Sequence, residues 1–423
     1  MRLFGGPRTP GVLFVQATIL LDLMGIGLIL PVLPTLIGTL TDGRDAQTYW
    51  FSTLVFVYGA MQFACAPLLG ALSDRYGRRP ILLIGIAGLG LMFLVPAIVD
   101  SLWLILLSRA IGGATAANLA VANAYVADVT PPALRAQAFG KLGAVFGIGF
   151  IIGPALGGML GTIDLHLPFF VAAALSLTNF AYGWFVLPES LPRERRSHLL
   201  PHKANPFRSL IGLAQLKGVG ALVVVAALVN LAMFMLHATW VLFTEFRHGW
   251  NPSQVGWSLF VVGVVSLLVQ GVWLGRLLQR FGERRLILFG IASGMVAYFL
   301  YASLPFGWML YLIISANFLA YAVQPALNAT VSRAARPEEQ GHAMGALGAL
   351  ASLMLVIAPF IGGPLLAAAS HGPPSWRLGA PYFLSSALMA LALGLALWHF
   401  ARHPQAGAAA SARSAPAAPR RDD

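Results

Sequence analysis

Twelve apolar runs, each about long enough to cross a lipid bilayer, constrain this 423-residue chain more than any other feature. A bilayer core is about 30 Å thick and needs about 20 apolar residues in an α-helix. Only 10% of the residues are charged and 58% are hydrophobic, which leaves too little polar surface for a water-soluble fold. We therefore predict an all-α membrane protein with twelve transmembrane helices, because a helix satisfies its own backbone hydrogen bonds in lipid. The runs are Gly11–Leu36, Tyr49–Leu69, Pro80–Val99, Leu102–Ala127, Gln137–Leu160, Pro168–Leu187, Gly218–Phe243, Pro252–Leu274, Leu286–Leu304, Trp308–Val331, Ala343–Ala369 and Pro381–Ala401.

The basic residues predict how these helices are oriented in the membrane. If the N-terminus lies in the cytoplasm, 23 of the 27 Lys and Arg residues fall in cytoplasmic segments. The outer connections hold Arg44, Arg247 and Arg377, and Arg109 lies within a predicted helix. Because short cytoplasmic loops are enriched in Lys and Arg, both termini are predicted to be cytoplasmic. Topology thus accounts for the net charge of +12, and we expect no nucleic-acid partner.

Polar segments divide the chain into two sets of six predicted helices. Residues 1–187 form an N-terminal half, 188–217 a cytoplasmic linker, 218–401 a C-terminal half and 402–423 a disordered cytoplasmic tail. No segment outside the membrane is long enough for a catalytic domain, and neither a P-loop nor an HExxH motif occurs. Cys65 is the single cysteine, which excludes a disulfide and a thiolate zinc cluster. We expect no enzymatic activity, no cofactor and no metal site.

The two halves are related by an internal repeat with an offset of 205 residues. The connection after the second predicted helix reads GALSDRYGRR, and the one after the eighth reads GRLLQRFGER. Since each copy has an even number of helices, both copies have the same orientation, as in two parallel six-helix halves around a central cavity. Equivalent pairs are Gly70 and Gly275, Arg75 and Arg280, Gly77 and Gly282, and Pro154 and Pro359.

Two motifs and several longer strings resemble the major facilitator superfamily. The loop Gly70–Pro80 resembles its signature between helices two and three, and Gly149–Gly158 resembles the antiporter signature of helix five. Within the superfamily, the chain is similar to the twelve-helix drug/proton antiporters and most closely to the tetracycline/proton efflux proteins. The segments that carry this closer resemblance are Leu21–Pro34, Met61–Gln62, Trp240–Glu245 and Gly249–Asn251.

The resemblance implies a major facilitator fold and proton-driven efflux by alternating access across the bacterial inner membrane. Tetracycline, free or chelated with a divalent cation, is the first candidate substrate, and another antibiotic, a sugar or a metabolite is the alternative. The implied partners are a small drug-like molecule, protons and lipid, and we expect a functional monomer. Proteins of this group also carry carboxylates in helices three and nine and a histidine in helix eight, where this chain has Met92, Gly294 and Ser266.

Asp22 and Arg109 are the two charged residues predicted to lie deep in the membrane. At 1.5 Å per residue, Asp22 is about eleven residues into the first run and therefore near the bilayer midplane. A carboxylate at the centre of a transmembrane helix costs roughly 2.5–3.5 kcal/mol, so it usually faces a cavity or a partner. We predict that Asp22 carries the proton or binds a cationic substrate, and the resemblance assigns Arg109 to proton coupling. The alternatives are a structural carboxylate tied to Arg109 or to backbone groups, and an arginine that reaches the outer interface.

A short charged turn lies between the second and third predicted helices. Its ionic groups, with those of the next cytoplasmic connection, are expected to form ion pairs that latch the two halves together on the inside. Plain positive-inside topology is the alternative, but it explains neither the aspartate in the turn nor its glycines. The predicted gate consists of Gly70, Asp74, Arg75, Gly77, Arg78, Arg79, Asp128 and Arg135.

Small residues repeat at a spacing of four in the fifth predicted helix, around a proline that removes one helix hydrogen bond. This pattern allows close helix contact and a kink, and the resemblance associates it with antiport. The predicted antiporter motif consists of Gly149, Gly153, Pro154, Gly157 and Gly158.

Polar side chains inside the predicted helices are expected to line the substrate cavity, because an amide in lipid needs a partner. Contacts between helices are the alternative for each amide, and packing is the alternative for the histidine. The predicted cavity residues are Gln62, Asn123, His237, Gln270, Asn317 and Gln324. Aromatic residues that can stack on a planar ligand are Trp240, Phe243, Trp257 and Phe260.

Overall fold

The computed structural model describes residues 10–116, 118–131, 134–196, 220–334, 340–371 and 375–402, and every regular element in these ranges is helical. The predicted all-α membrane fold is thereby confirmed. The predicted linker from residue 197 onward and the predicted tail from residue 403 onward lie outside the described residues. The helices are α1 (Pro10–Ile29), α2 (Leu33–Thr39), α3 (Arg44–Tyr76), α4 (Arg78–Ile98), α5 (Leu102–Thr115), α6 (Asn118–Val129), α7 (Arg135–Gly161), α8 (Leu167–Val186), α9 (Gly220–His248), α10 (Pro252–Leu268), α11 (Leu274–Ser303), α12 (Trp308–Ala316), α13 (Val323–Ala334), α14 (Gln340–Ala369) and α15 (Ala380–Arg402).

The described helices are consistent with twelve membrane spans. Nine segments are long and apolar enough to cross a bilayer, and a bent pair, Trp308–Ala316 with Phe318–Arg333, makes a tenth. One of the nine, Pro252–Ser303, has 52 residues. At 1.5 Å per residue it would measure about 78 Å, more than twice the thickness of a bilayer core. It departs from helical geometry at Gly282 (φ 69°, ψ 163°), which divides it into two spans.

Prolines account for two interruptions where the sequence predicts continuous helix. The first span breaks between α1 and α2, at the position of Pro31. The tenth span passes through a 3₁₀ turn at Phe318–Ala322 and bends by 47°. Pro325 lies just after this turn, where its ring excludes the carbonyl of Tyr321 from a regular α-helix. The expectation of an unbroken helix is wrong at both places.

The sequence repeat is also a structural repeat. In the first half α1 packs against α7 and α8, and α4 packs against α8; in the second half α9 packs against α14 and α15, and α11 packs against α15. The equivalent glycines of the charged turns have similar backbone geometry, with φ 106° and ψ 158° at Gly77 and φ 69° and ψ 163° at Gly282. A positive φ of this kind is readily available only to glycine, which explains why both copies have one there.

The halves meet along two helix pairs, α3 with α14 and α7 with α10. We call the end that carries Arg75–Arg79 and Arg280–Arg285 the basic end, and the opposite end, which carries Asp45 and Glu245, the far end. Cross-half hydrogen bonds close the far end, where Thr35 Oγ1 donates to Glu245 Oε2 (3.2 Å) and Gln47 Nε2 donates to Glu245 Oε1 (3.3 Å).

The bundle is open at the basic end. A Cβ placed on Gly70 of α3, Gly275 of α11 or Gly348 of α14 would find no neighbour within 4 Å among the described residues. His237 and Gln270, both well inside the spans, are solvent-exposed. These open positions lie at the basic end, whereas the cross-half hydrogen bonds lie at the far end.

Candidate transport site

Asp22, Tyr58 and Arg109 form a buried polar cluster in the first half, on α1, α3 and α5. The Arg109 guanidinium lies 5.8 Å from the centroid of the Tyr58 ring, and Tyr58 interacts electrostatically with both Asp22 and Arg109. Asp22 Oδ1, Tyr58 Oη and Arg109 Nε are buried and have no hydrogen-bond partner among the described residues. Asp22 and Arg109 are not within ion-pair distance of each other. The cluster thus contains a carboxyl group and a guanidinium that are not paired with each other.

The glycines that follow Arg109 explain how α5 comes so close to α3. A Cβ on Gly113 would lie 3.0 Å from the Tyr58 Cα, so this position accepts only a hydrogen atom. Gly112 faces the same tyrosine and Met92. Close approach of the two backbones brings the guanidinium over the aromatic ring, where the negative face of the ring attracts a cation.

Tyr58 was not predicted from the sequence to belong to the site. It is one turn before the predicted cavity residue Gln62, so both side chains lie on one face of α3. A tyrosine within an apolar run has the pattern of an ordinary core residue, and only its spacing from Gln62 is a signal.

The antiporter motif packs α7 against α1, the helix of Asp22. On one face of α7, a Cβ on Gly149 would lie 3.0 Å from Leu23 Cβ, and one on Gly153 would lie 2.9 Å from Gly27 Cα. Gly157 continues this stripe and faces the Leu28 backbone. A Cβ on Gly149 would also lie 3.0 Å from the Leu20 carbonyl oxygen, so the contacts on α1 lie on either side of Asp22 along the chain.

The adjacent face of α7, about 100° around the helix, meets α10 with the same closeness. A Cβ on Gly158 would lie 3.1 Å from Gly256 Cα, and one on Gly256 would lie 3.3 Å from the carbonyl carbon of Pro154. The motif is therefore a small-residue contact on both sides, as its spacing predicts.

The predicted cavity residues have different surroundings. His237 is exposed beside Phe234, with ring centroids 6.3 Å apart, and Gln62 and Asn123 are partly exposed. Gln270 is exposed within a π-helical turn, Val269–Trp273, and donates to Ser266 Oγ at 2.9 Å. None of these four side chains is fully buried.

Two amides are occupied by contacts within the protein. Asn317 is buried and accepts a hydrogen bond from Ser293 Oγ at 2.8 Å, which ties the break of the tenth span to α11. Gln324 donates to Asn328 Oδ1 at 3.2 Å, and its own carbonyl oxygen is buried. For Asn317 the structure favours the alternative of a contact between helices.

The predicted aromatic residues divide in the same way. Trp240 and Phe243 are buried in the core of the second half, where Trp240 Nε1 donates to Ser258 Oγ at 2.9 Å. Packing with Tyr301 and Tyr382 holds them there, so they are not exposed to a ligand in this conformation. Trp257 is exposed.

The gate residues form a network around Arg78 at the basic end. Arg78 Nη1 lies 2.6 Å from Asp74 Oδ1, and Arg78 Nε lies 3.1 Å from Asp128 Oδ2. Arg78 Nη1 also donates to Ser73 Oγ at 2.6 Å. Arg75 stacks on the Tyr76 ring, with 5.2 Å between the guanidinium and the centroid.

This network joins elements of the first half only. It links α3, α4 and α6, and the expected ion pair across the two halves does not occur among the described residues in this conformation. The bundle is open here, so the groups of the second half are out of reach. The side chain of Arg135 lies outside the described part of the structure. The equivalent turn of the second half has its own pair, Glu283 with Arg333.

Comparison with known proteins agrees with this architecture. The sequence profile of the Major Facilitator Superfamily matches residues 17–359 and 238–421. Among solved structures, the nucleoside transporter NupG has a TM-score of 0.73 at 13% identity, covering 92% of this chain and 98% of its own. A bacterial homolog of the human lysosomal transporter Spinster, in an inward-facing and occupied conformation, has a TM-score of 0.73 at 16% identity, covering 95% and 99%. These likenesses show the fold.

Curated relatives are similar over most of their length. The class C tetracycline resistance protein of Escherichia coli is 38% identical over 373 residues, which is 88% of this chain and 93% of that protein. The class G tetracycline resistance protein of Vibrio anguillarum is 37% identical over 86% of this chain and 93% of its own. Multidrug resistance protein 2 of Bacillus subtilis is 27% identical over 91% and 94%. This chain therefore belongs to the Major Facilitator Superfamily, among proteins similar to the tetracycline resistance group.

Proposed function

We propose that this protein exports tetracycline, free or chelated with a divalent cation, in exchange for protons by alternating access. Its 38% identity over most of both chains with a tetracycline resistance protein is the observation that carries this proposal. The conformation described here is the one that loads substrate, with the basic end in the cytoplasm of a bacterium and both termini on that side. The protein works as a monomer, because each chain has both halves of the transport path.

Asp22 is the proton carrier in this mechanism. It is a carboxyl group inside a membrane span, where the ionised form is costly unless a partner or water stabilises it. In this proposal, the Tyr58 hydroxyl and Arg109, which lies beside the Tyr58 ring, stabilise the carboxylate after the proton leaves toward the basic end. When Asp22 is protonated, it offers no negative charge to a cationic substrate. When it loses the proton, the carboxylate can attract the cation. One proton exchanged for one cation follows from a single carboxylate.

Residues from both halves contact the substrate. His237 and Gln270 present an imidazole and an amide to the cavity from the second half, and Gln62 and Asn123 present amides from the first. Amides can bind the oxygen-rich face of a planar polyketone by hydrogen bonds, as donors and as acceptors. Because these groups are neutral, the charge selectivity of the site comes from Asp22.

General drug efflux is the second candidate. Relatives named as multidrug resistance proteins are 26–27% identical over at least 90% of this chain. Met92 and Gly294 occur where the resemblance leads us to expect carboxylates, and both are engaged in packing, against Gly112 and Met389 respectively. A site with fewer charges is expected to discriminate less strongly among cations.

Uptake into inverted membrane vesicles with an imposed pH gradient tests the proposal. Tetracycline is expected to accumulate in acid-inside vesicles, and Asp22→Asn is expected to abolish accumulation while leaving expression intact. Asp42→Asn, which changes an exposed carboxylate at the far end, is the matched control and should transport normally. If another drug accumulates and tetracycline does not, the substrate assignment is wrong. Full gradient-driven uptake by Asp22→Asn would contradict the role of Asp22.

A further inference from the structure

A groove of about 780 Å³ runs along the lipid-facing surface of the first half, between α4 and α8. Its walls are apolar, with Leu83, Ile84 and Leu91 on α4 and Phe180 and Trp184 on α8. Ile84 and Leu91 are 63% and 51% exposed. The groove is separate from the central cavity, because the cavity lies between the halves and this groove lies within one of them.

The basic end of the groove carries two arginines. Arg79 Nη2 donates to the carbonyl of Trp184 at 2.6 Å, while its Nε is buried without a hydrogen-bond partner among the described residues. Arg79 also forms no ion pair with a described carboxylate. Arg196 lies on the opposite wall, 3.7 Å from Glu189.

Glu189 also lines this end, but its charge is already satisfied. Its carboxylate accepts the backbone N–H groups of Arg78 (2.8 Å) and Arg79 (3.3 Å) at the start of α4, and it pairs with Arg196. Backbone N–H groups at a helix N-terminus stabilise a carboxylate in this way. Arg79 therefore remains a cation without a counter-ion at the mouth of an apolar groove.

The length of the groove matches one leaflet of a bilayer. Arg79 and Leu91 are twelve residues apart on α4, about 18 Å at 1.5 Å per residue, and half of a 30 Å core is about 15 Å. The arginine thus lies at the depth of lipid headgroups while the apolar walls extend to the midplane. Basic pockets between transmembrane helices are typical binding sites for anionic headgroups.

We propose that this groove binds one anionic phospholipid. The phosphate of this lipid pairs with Arg79. Arg196 and the Tyr76 hydroxyl lie beside the phosphate at the rim of the groove. One acyl chain lies between α4 and α8. The bound lipid holds the start of α4 against the end of α8. This site does not depend on the transported substrate.

Native mass spectrometry of the delipidated full-length protein tests this proposal. Phosphatidylglycerol is expected to bind with a stoichiometry of one, about tenfold more tightly than phosphatidylcholine with the same acyl chains, because the choline cation beside the phosphate of phosphatidylcholine is repelled by Arg79 and Arg196. Arg79→Gln is expected to remove this preference. Arg276→Gln, which removes an exposed arginine of the second half, is the matched control and should retain it. Equal binding of the two lipids by the unaltered protein would overturn the proposal.

A second variant tests the location of the acyl chain without a change of charge. Ala87 lines the groove, and Ala87→Phe fills it, so we expect lipid binding to weaken about tenfold even if Arg79→Gln does not fold. Unchanged binding by Ala87→Phe would place the lipid elsewhere and overturn the proposal. Glycerol 3-phosphate should not displace the lipid; displacement at equal concentration would assign the site to a soluble phosphate compound and also overturn it.

Discussion

Arg78 and Glu283 occupy equivalent positions in the two halves, 205 residues apart, and have opposite charges. Their partners are also equivalent and also reversed, since Arg78 pairs with Asp128 and Glu283 pairs with Arg333. Each half therefore braces its basic end with its own ion pair, and the polarity of that pair is inverted between the copies. A latch across the halves would need one of these pairs to exchange partners.

The two pairs are expected to differ in their contribution to stability. The Arg78 side chain is 10% exposed and meets two carboxylates, whereas that of Arg333 is 53% exposed. We expect Arg78→Gln to lower the free energy of unfolding by about 2 kcal/mol, between the values typical of surface and buried pairs, and Arg333→Gln by less than about 1 kcal/mol. Equilibrium unfolding in detergent measures both.

Charge reversal is the control for this prediction. Glu283→Arg alone places two arginines together, and the double change with Arg333→Glu restores an attractive pair with the polarity of the first half. We expect the double variant to recover most of the stability that the single one loses. Equal losses for Arg78→Gln and Arg333→Gln would contradict the assignment based on exposure.

Tyr58 is expected to affect proton coupling more than substrate binding. Tyr58→Phe keeps the ring beside Arg109 and removes the hydroxyl that is close to Asp22. We expect gradient-driven uptake to fall about tenfold, the effect of losing the one hydrogen bond that the hydroxyl would donate to the ionised Asp22 carboxylate once the proton has left. Substrate counterflow without a gradient should stay close to normal. Tyr49→Phe, at an exposed position of the same helix, should change neither assay.

Gly157 is expected to tolerate no side chain. A Cβ there would overlap the Leu28 backbone, which cannot move aside as a flexible side chain can. We expect Gly157→Ala to destabilise the protein by at least 2 kcal/mol, within the range for an overpacked core. Gly394→Ala, in a helix where a Cβ meets nothing within 4 Å, should be neutral or stabilising by up to about 1 kcal/mol. Thermal unfolding of both variants in detergent makes the comparison, and a stable Gly157→Ala protein would contradict the contact.

Glu245 is expected to hold the far end closed. It accepts hydrogen bonds from Thr35 and Gln47 of the other half, so Glu245→Ala removes both. The reporter is Ser52→Cys in a Cys65→Ala background, which places a single cysteine at a buried position. We expect a membrane-impermeant thiol reagent to label this cysteine at least five times faster when Glu245→Ala is also present. Two hydrogen bonds of about 1 kcal/mol each allow a change of this size.

A second carboxylate at the far end provides the control for this labelling. Asp45 lies 3.7 Å from His371 of the other half, and both side chains are largely exposed. Because an exposed pair contributes little, Asp45→Asn should leave the labelling rate unchanged. If Asp45→Asn and Glu245→Ala accelerate labelling to a similar extent, loss of any carboxylate at the far end opens it, and the specific role of Glu245 is contradicted.

The helices and the repeat could be predicted because each rests on a local signal. An apolar run of about 20 residues has few alternatives to a membrane helix, and the offset of 205 residues appears in both charged turns. Asp22 and Arg109 were recognisable for the same reason, since charges are rare within such runs. Gly77 and Gly282 were recognisable as turn glycines, and their positive φ angles agree.

The partners of the polar groups could not be predicted in this way. Glu245 appears in sequence as the polar end of a helix, and nothing local shows that Thr35, 210 positions earlier, donates to it. Asn317 resembles any other amide in a span until the break at Phe318 brings Ser293 to it. The ionic groups of the charged turn were expected to latch the two halves together, whereas the partners described for the Arg78 side chain all lie in the first half.

The double-sided packing of α7 has a mechanical consequence. Gly153 and Gly157 contact the backbone of α1, and Gly158 contacts the backbone of α10, with no long side chain between them. At ordinary helix contacts, side chains can change rotamer and so accommodate small displacements of one helix against the other. A contact between two backbones cannot adjust in this way. A tilt of α10 is therefore transmitted through α7 to α1, the helix of Asp22. Movement of the second half relative to the first is thus coupled directly to the position of the proton-carrying carboxyl group.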